Sequence, residues 1–445
     1  MDNLELANWS QATSDGAPVR VAVLVDLERT PQAGGHVKSW ERLAEAAARS
    51  NANFDLTVHF EGEAETCDVL APHVRLMTHR PVFSTRRLAM LGVIADHTDL
   101  APLHPRLLRT LTNVDVIHTT DAYFAYARTA RRVARRTGAA MTTSLHTDTP
   151  GYTEVYAERV MRRIFGYGWA GRLVVDRARL AERCAEMMRG RLARHARECD
   201  WVLVGSDGQM DGIWSEFAGR VGRLRRGIDS ALFSPKRRDR SKLQARYGIP
   251  PDRFVVLAVG RIDVGKSAMV FAAAVRQAID GGLPVHAVMA GIGQQSGAVR
   301  ALLGSHVSLP GVLAQADLAD LYASSDLLLF PSRYEVAPNV VLEAKASGLP
   351  VVVAPEGGGV MVREPGRDGI VIAAREPAAW ADTIAALIAD PARRRALAAA
   401  GLEDIARHHA SWDAVLAEDL LPVWRSARRR VVEAQGVCSP LVSSS

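Results

Sequence analysis

The sequence is poor in cysteine and has no long apolar run. Its 445 residues include four cysteines, none of them in a Cys-x-x-Cys pair, which argues against a zinc site or a disulfide framework and favours a reducing compartment. No apolar run approaches the roughly 18–20 residues that span a bilayer. The first 16 residues are acidic and polar, which predicts no secretory signal. Together these features predict a cytoplasmic protein.

The composition is that of a basic globular protein. Hydrophobic residues make up 48% of the chain and charged residues 23%, which excludes a disordered protein. The length predicts two domains of roughly 200 residues each. The net charge of +6 indicates anionic partners, which could be nucleic acid, phosphate-bearing ligands or an anionic membrane surface.

Strand and helix patterns alternate in both halves of the chain, which predicts two doubly wound α/β domains that face each other across a cleft. The predicted parts are a tail (1–17), a first domain (18–226), a linker (227–252), a second domain (253–410), a closing helix (411–434) and a tail (435–445). Strands are predicted at 19–26, 54–60, 114–120, 140–146, 201–206, 253–260, 284–291, 306–311, 326–332 and 350–355. Helices of the second domain are predicted at 266–280, 293–303, 315–324, 339–347 and 377–401. A ligand is expected in the cleft, at the carboxyl ends of the strands.

Two glutamates surround a predicted helix start at the end of one of these strands. Pro331 ends the strand, and Pro338 and Asn339 begin the helix, with Asn as a favoured N-cap. Glu343 falls one turn into the helix, where its carboxylate could accept both hydrogens of a sugar diol. Glu335, in the preceding loop, could reach the other end of a ligand, and the helix N-terminus between them suits a phosphate. The alternative is that both glutamates are ordinary solvated residues.

This stretch resembles the Glu-x7-Glu region of retaining nucleotide-sugar glycosyltransferases of the GT-B fold, in particular family 4 (glycosyl transferases group 1). The adjoining residues 346–359, ASGLPVVVAPEGGG, are similar to the family's Ala-Ser-Gly-Leu-Pro-Val-Val followed by a diglycine, and the resemblance extends over about residues 19–425. It implies two Rossmann-like domains, with Glu335 at the donor sugar and Glu343 at the ribose diol. Asn339 and Val340, at the helix start, would also contact the donor.

A second loop agrees with this resemblance. Residues 257–267, LAVGRIDVGKS, are similar to the family's Gly-Arg-x4-Lys loop, which implies that Arg261 and Lys266 face the donor diphosphate. Positive charge is needed there because the departing nucleotide diphosphate gains negative charge. The sequence has no Asp-x-Asp triplet that could hold a divalent metal on a diphosphate. We therefore expect no metal and no cofactor beyond the nucleotide-sugar substrate.

The first domain contributes two further motifs. Gly34 and Gly35 resemble the family's diglycine loop, whose backbone can approach the donor closely, although a flexible turn is the competing interpretation. Residues 143–152, TSLHTDTPGY, resemble the segment that carries a histidine into the cleft. His146 would then hydrogen-bond the donor sugar or its phosphate, unless it is a structural histidine. The segment at 225–235 resembles the signature at the domain junction and is interpreted as mainly structural.

Three positions depart from the family pattern: Gly265 replaces the usual Glu before the loop lysine, Pro338 replaces a Gly, and Met361 replaces a frequent Glu. These departures leave open a non-catalytic nucleotide-sugar-binding scaffold on the same fold.

The segment at 152–198 is strongly basic, with eleven Arg against six acidic residues. Its apolar positions lie at helical spacing, at Val160, Met161, Ile164, Phe165 and Trp169, then at Leu180, Cys184, Met187 and Met188. Such a helix could lie on an anionic membrane or pack its apolar face on the first domain. No nucleic-acid-binding signature accompanies the arginines.

The leading hypothesis is a retaining hexosyltransferase that moves a hexose from a UDP- or GDP-sugar to an acceptor hydroxyl. A lipid or glycolipid acceptor and peripheral contact with the cytoplasmic membrane face are candidates.

Overall fold

The computed structural model describes residues 17–30, 33–84, 98–146, 179–205, 219–333 and 337–437, together with a few single positions between these ranges, Glu335 among them. Within these residues the chain forms two α/β domains, each built on one sheet. No helix in the described ranges combines the length and the apolar composition needed to cross a bilayer.

The first domain contains a sheet whose described strands are β1 (Val19–Glu28), β2 (Phe54–Glu61), β3 (Thr66–Ala71), β4 (Val74–His79), β5 (Val116–Thr119), β6 (Ala140–Leu145), β7 (Trp201–Val204) and β8 (Val221–Arg223). Its described helices are α1 (Gly35–Arg49), α2 (Pro105–Thr110), α3 (Ala125–Thr137) and α4 (Leu180–Arg197). The strand order is β3-β4-β2-β1-β5-β6-β7-β8. β3 runs antiparallel to β4, and the other paired strands are parallel.

The sequence patterns located β1, β2, β5, β6 and β7 of this sheet but missed the internal strand β4 and the edge strands β3 and β8. β1 is buried along most of its length, so its apolar run was a clear signal. β3 is an exposed edge strand with the sequence TCDVLA, and β8 is a short VGR segment. Neither carries an apolar pattern, because neither is covered on both faces.

The second domain contains a wholly parallel sheet of β9 (Phe254–Val259), β10 (Val285–Ala290), β11 (Val307–Gly311), β12 (Leu327–Phe330), β13 (Val351–Val353) and β14 (Ile370–Val371). Its helices are α5 (Arg240–Tyr247), α6 (Ala268–Asp280), α7 (Ser296–Leu303), α8 (Gln315–Ser324), α9 (Asn339–Ala346), α10 (Pro377–Ala389) and α11 (Pro391–His408). The strand order is β11-β10-β9-β12-β13-β14. These two sheets confirm the predicted fold class.

The single helix predicted at 377–401 is wrong, because two helices occupy this region. Asp390 leaves the helical conformation, with φ −121° and ψ 82°, and its carboxylate accepts a hydrogen bond from the backbone N–H of Arg393. Pro391 then begins α11, since proline is tolerated at the first position of a helix but not in its interior.

The segments at the domain junction pack on different domains. Within 227–252, Ile228, Phe233 and Leu243 belong to the apolar core of the second domain. The C-terminal helices α12 (Trp412–Val415) and α13 (Leu421–Val437), joined by a π-helical turn at Leu416–Leu420, instead pack on the core of the first domain. The chain therefore returns to its first domain after completing the second.

Both sheets reverse their strand order at one point, between β1 and β5 in the first domain and between β9 and β12 in the second. Helices leave a crevice at such a switch point, and ligands of doubly wound sheets bind there. The loops after these four strands are therefore the first places to look for a site.

Candidate functional site

The loop after β9 carries two cations. Gly260, with φ +133°, lets the backbone turn sharply at the strand end. The Lys266 ammonium forms an ion pair with the Glu335 carboxylate in the loop after β12. Arg261 pairs with Asp263 at 3.2 Å between Nε and Oδ2, and Asp263 Oδ1 also accepts a hydrogen bond from the backbone N–H of Lys266 at 3.0 Å. The loop is thus held by its own aspartate.

The loops after β9, β12 and β13 pack tightly together. The Ser332 hydroxyl donates to the Gly265 carbonyl at 3.3 Å. A Cβ on Gly357 would lie 1.9 Å from the Ser332 carbonyl oxygen, so only glycine fits where these two backbones meet. These contacts bring the predicted residues Glu335 and Lys266 to one place at the edge of the second sheet.

The start of α9 faces the first domain. Pro338 is the N-cap and Asn339 is the first helical residue, without a side-chain cap, so the prediction that Asn339 caps the helix is wrong. Its side-chain amide instead donates to Ser39 Oγ on α1 at 3.1 Å. Asn339 Oδ1 is buried and has no hydrogen-bond partner among the described residues. Val340 follows it and is half-buried.

Glu343 lies one turn further along α9. Its Oε2 accepts a hydrogen bond from the Tyr322 hydroxyl of α8 at 3.0 Å. Burial raises the pKa of Glu343 to about 7, although the Tyr322 hydrogen bond and the charge of Arg42 on α1 oppose this rise.

Gly34 and Gly35 form the N-terminus of α1. Gly34 is the N-cap and offers no side chain to the first backbone N–H groups of the helix. A Cβ there would meet no described atom within 4 Å, and a Cβ on Gly35 would meet Asn339 Nδ2 at 3.8 Å. The two glycines therefore leave open space next to α9 rather than fitting a tight packing contact.

His146 follows β6, and both of its ring nitrogens are engaged. Its Nδ1 lies 3.1 Å from Arg226 Nη1, and its Nε2 lies 2.7 Å from Ser144 Oγ. Because a guanidinium can only donate, Nδ1 is an acceptor and the neutral ring carries its proton on Nε2. Burial lowers the pKa of His146 well below its ordinary value, aided by His36 and Arg226. The His36 ring stacks on it with centroids 4.1 Å apart.

The sequence patterns did not single out Arg226, Ser39 or Lys345. Arg226 lies in the segment interpreted as structural, and that interpretation fits its neighbour Arg225, which pairs with Asp419. Lys345 is 1% exposed and donates to the Met361 carbonyl at 3.0 Å. The available signal for Arg226 was the pair of arginines before Gly227, and the signal for Lys345 was a lysine within an otherwise apolar helix.

The described residues contain no group of three or more His, Cys, Asp or Glu side chains arranged to hold a metal ion. The loops after β9 and β12 carry Arg261, Lys266 and Glu335, of which Lys266 and Glu335 form an ion pair, and Glu343 lies one turn into α9. Such a set can bind a phosphate through the cations and hydroxyl groups through the carboxylates.

Residues 253–390 match the family model described as glycosyl transferases group 1. This segment is a group 1 glycosyltransferase domain. The predicted family is confirmed by this match, which contains every predicted site residue of the second domain.

Curated relatives of the chain include D-inositol 3-phosphate glycosyltransferase 1 of Catenulispora acidiphila, 33% identical over 250 residues, which are 53% of this chain and 57% of the relative. The D-inositol 3-phosphate glycosyltransferase of Salinispora arenicola is 35% identical over 230 residues, 47% of this chain and 50% of that protein. The chain thus spans about half the length of the curated relatives it matches.

Solved glycosyltransferase structures share the fold of most of the chain. Sucrose-phosphate synthase from Thermosynechococcus elongatus superposes with a TM-score of 0.66 at 19% identity, covering 94% of this chain and 100% of that one. Anabaena HepE in complex with UDP-glucose gives a TM-score of 0.61 at 16% identity, covering 94% and 99%. The group 1 glycosyltransferase domain is therefore the second half of a GT-B fold, as predicted.

All predicted site residues lie within the described parts of the chain, but some of their neighbours do not, namely Tyr334 and Val336 beside Glu335 and residues 147–148 and 151–152 after His146. Most of the basic segment also lies outside the described residues, including Val160, Ile164, Phe165 and Trp169. Its described end forms α4, in which Met188 is buried and Met187 is 51% exposed. Membrane contact stays a prediction.

Proposed function

We propose that this protein is a retaining hexosyltransferase that transfers a hexose from a nucleotide diphosphate sugar to an acceptor hydroxyl. The observation that carries this proposal is the ion pair of Lys266 with Glu335, eight residues before Glu343, at the switch point of a group 1 glycosyltransferase domain. HepE, which shares the fold, has a structure that contains UDP-glucose, so a uridine nucleotide is the first donor to test.

The donor would lie along the edge of the second sheet. Glu343 would accept the two hydroxyl hydrogens of the ribose, for which an ionised carboxylate is suited. Arg261 and Lys266 would bind the diphosphate. In the absence of donor, Glu335 neutralises Lys266; a bound diphosphate would take over that lysine and release Glu335 to the hydroxyl groups of the sugar.

The first domain would form the opposite wall of the donor site. Gly34 and Gly35 leave space for the donor phosphates beside the backbone N–H groups of α1, and Asn339 and Val340 would close that space from α9. Direct contact between His146 and the donor sugar stays a prediction, since Arg226 and Ser144 engage its two ring nitrogens in this structure.

Transfer with retention would proceed by attack on the same face from which the diphosphate leaves. The bond between the anomeric carbon and the phosphate oxygen breaks, and its electron pair passes to the diphosphate. The acceptor oxygen bonds to the anomeric carbon and gives its proton to the leaving phosphate. The positive side chains stabilise the charge that develops on that phosphate, so we propose that no metal ion is required.

The acceptor class is drawn from the relatives. Two of the curated relatives are named for D-inositol 3-phosphate, so a polyol hydroxyl is the first acceptor class to test here. The lipid or glycolipid acceptor predicted from the basic segment is a second class.

Thermal unfolding with UDP, GDP or ADP tests the donor site. With EDTA present, one nucleotide at about 100 times its Kd should stabilise the protein by about 2.7 kcal/mol. Glu343→Ala should abolish that shift, whereas Glu376→Ala, which removes an exposed glutamate of the same domain, should preserve it. A shift that needs added divalent metal contradicts the metal-independent site, and no shift with any nucleotide contradicts the proposed function.

A binding-only scaffold is the rival that the departures at Gly265, Pro338 and Met361 suggested. Release of UDP from UDP-glucose, measured with and without inositol phosphates, separates the two. The enzyme should release UDP at least slowly by hydrolysis and faster with an acceptor, whereas a scaffold should bind UDP and release none above the buffer rate.

A further inference from the structure

Arg226 lies in the cleft between three elements that are distant in the sequence. It follows β8, and its Nη1 donates to Ser39 Oγ of α1 at 3.2 Å and to His146 Nδ1 after β6 at 3.1 Å. The side chain is half-buried, and its Nε is fully buried without a hydrogen-bond partner among the described residues. Two neutral groups thus orient the guanidinium, and its Nε–H has no acceptor among the described residues.

The neighbouring cations have carboxylate partners, and Arg226 differs from them. Lys266 pairs with Glu335, Arg261 with Asp263, and Arg225 with Asp419. Within the described ranges Arg226 forms no ion pair and donates only to the hydroxyl and the imidazole. Removing a cation from water without an adjacent anion is unfavourable. A cation kept in a cleft without such a partner is typical of a site whose anion comes from a ligand.

The two histidines beside Arg226 do not supply positive charge. Burial, together with the charge of Arg226, lowers the pKa of His36 to about 3, and burial lowers the pKa of His146 well below its ordinary value, so both rings are neutral at pH 7. Burial lowers the pKa of Arg226 only to about 10, with Glu335 acting in the opposite direction, so the guanidinium remains charged. Among the described groups next to His146, Arg226 therefore carries the positive charge on the first-domain wall.

The position of Arg226 indicates which anion it would meet. Ser39 Oγ accepts hydrogen bonds both from Arg226 Nη1 at 3.2 Å and from the side-chain amide of Asn339 at 3.1 Å. The guanidinium therefore lies beside the start of α9, where the donor is proposed to bind. The charge of Glu335, the ion-pair partner of Lys266, also acts on Arg226. A guanidinium also offers two parallel N–H groups, which match a phosphate better than an ammonium does.

We propose that Arg226 is a donor-diphosphate-binding residue supplied by the first domain, with Ser39 and His146 as positioning residues that orient its guanidinium. The inference builds on the proposed function and adds a phosphate contact from the wall opposite Arg261 and Lys266.

The test compares Arg226→Gln and Arg226→Lys with wild type by calorimetric titration of UDP, uridine and inorganic pyrophosphate. If the nucleotide experiment selects GDP or ADP, that nucleotide and its nucleoside replace UDP and uridine. Arg226→Gln should weaken UDP binding about 10- to 150-fold, the loss expected for a hydrogen bond to a charged group, and leave uridine binding unchanged. The UDP affinity of Arg226→Lys should lie between those of wild type and Arg226→Gln. The matched control Arg223→Gln removes one exposed positive charge at the end of the same strand and should bind UDP like wild type.

Thermal unfolding without ligand distinguishes this role from a structural one. Removing a cation that lacks an anion should leave the melting temperature of Arg226→Gln equal to or above that of wild type. A lower melting temperature together with unchanged UDP affinity would assign Arg226 to packing and overturn the proposal. For the positioning role, His146→Gln retains an acceptor for Arg226 and should keep the ratio of UDP to uridine affinity closer to wild type than His146→Phe does.

Pyrophosphate separates failure of this inference from failure of the proposed function. If wild type binds pyrophosphate but no nucleotide, the nucleotide-sugar function fails, and loss of pyrophosphate binding in Arg226→Gln still supports an anion-binding Arg226. If Arg226→Gln binds UDP and pyrophosphate within twofold of wild type, the inference is wrong while the function stands. If wild type binds neither a nucleotide nor pyrophosphate, the proposed function and the inference about Arg226 are both wrong.

Discussion

Single residues of the cleft show how two nearby carboxylates of one domain can lie in different environments. Glu335 is paired with the Lys266 ammonium, and we propose that a bound diphosphate takes over that cation. Glu343 has a phenol as its partner and lies where burial raises its pKa to about 7. A carboxyl of this kind is partly protonated in the empty site, and binding of a diol by its ionised form would lower its pKa again.

Replacing Glu343 by Gln should change the dependence of stability on pH. Between pH 4.5 and about 7 the folded protein keeps a proton that the unfolded chain has lost, so stability falls as pH rises through this window. Above pH 7 the free-energy cost of holding Glu343 ionised in its buried position is fully present. Glu343→Gln should remove this cost. We expect the melting temperature of the variant to exceed that of wild type at pH 8 by about 2–4 °C for each kcal/mol of that cost, and to match it at pH 4.5. Melting curves of Glu376→Gln, as control, should follow wild type; an equal difference at both pH values would contradict the assignment.

At the scale of elements, a buried ion cluster fixes α9 against the loops that surround the site. Lys345, on α9, pairs with Asp368 at 2.9 Å and with Asp404 of α11. Asp368 also accepts hydrogen bonds from the backbone N–H groups of Arg363 and Glu364. The helix that carries Glu343 is thereby tied to the segment after β13.

Lys345→Met should be strongly destabilising although methionine fits the volume. The change leaves two buried carboxylates without their shared cation, which costs about 3–5 kcal/mol when a buried ion pair loses one member. Urea unfolding followed by circular dichroism measures this loss. Lys242→Met, which removes the partner of Asp320 from an exposed ion pair, should leave the unfolding midpoint unchanged. Similar midpoints for both variants would show that the buried cluster contributes little.

For the whole molecule, the last helices connect the end of the chain to its first domain. Trp424, on α13, is 1% exposed, lies in the core that contains β1 and α1, and donates through Nε1 to His118 Nδ1 at 3.3 Å. His118 Nε2 in turn lies 2.9 Å from Ser144 Oγ, the partner of His146. The closing helix therefore supports the wall of the cleft as well as the core.

Trp424→Ala should destabilise the first domain by about 3–5 kcal/mol, the usual cost of deleting a buried tryptophan side chain. Hydrogen exchange followed by mass spectrometry should show faster exchange in peptides of residues 17–146 and little change in 253–390. Trp380→Ala deletes an equally buried tryptophan from the core of the second domain and should give the reverse pattern. Faster exchange in 253–390 for Trp424→Ala would contradict the assignment of α13 to the first domain.

The sequence by itself determined the central strands, most helices and the loops that carry Arg261, Lys266, Glu335 and Glu343. A strand buried on both faces must be apolar along its length, and a loop at a strand end can be located from that pattern, so both are local properties of the chain. The proline that divides α10 from α11 was also a local signal, and the sequence interpretation overlooked it.

Only the tertiary structure decided which groups meet across the cleft and which domain the last helices cover. The hydrogen bond from Asn339 to Ser39 joins residues 300 positions apart, and the contact of Arg226 with His146 spans 80 positions. No periodicity encodes such pairs. Arg225 is a structural ion-pair partner, whereas Arg226 forms no ion pair within the described part of the chain. This difference depends on which distant carboxylates the fold brings within reach. Charge pairing is a property of three-dimensional proximity, and sequence position alone does not specify it.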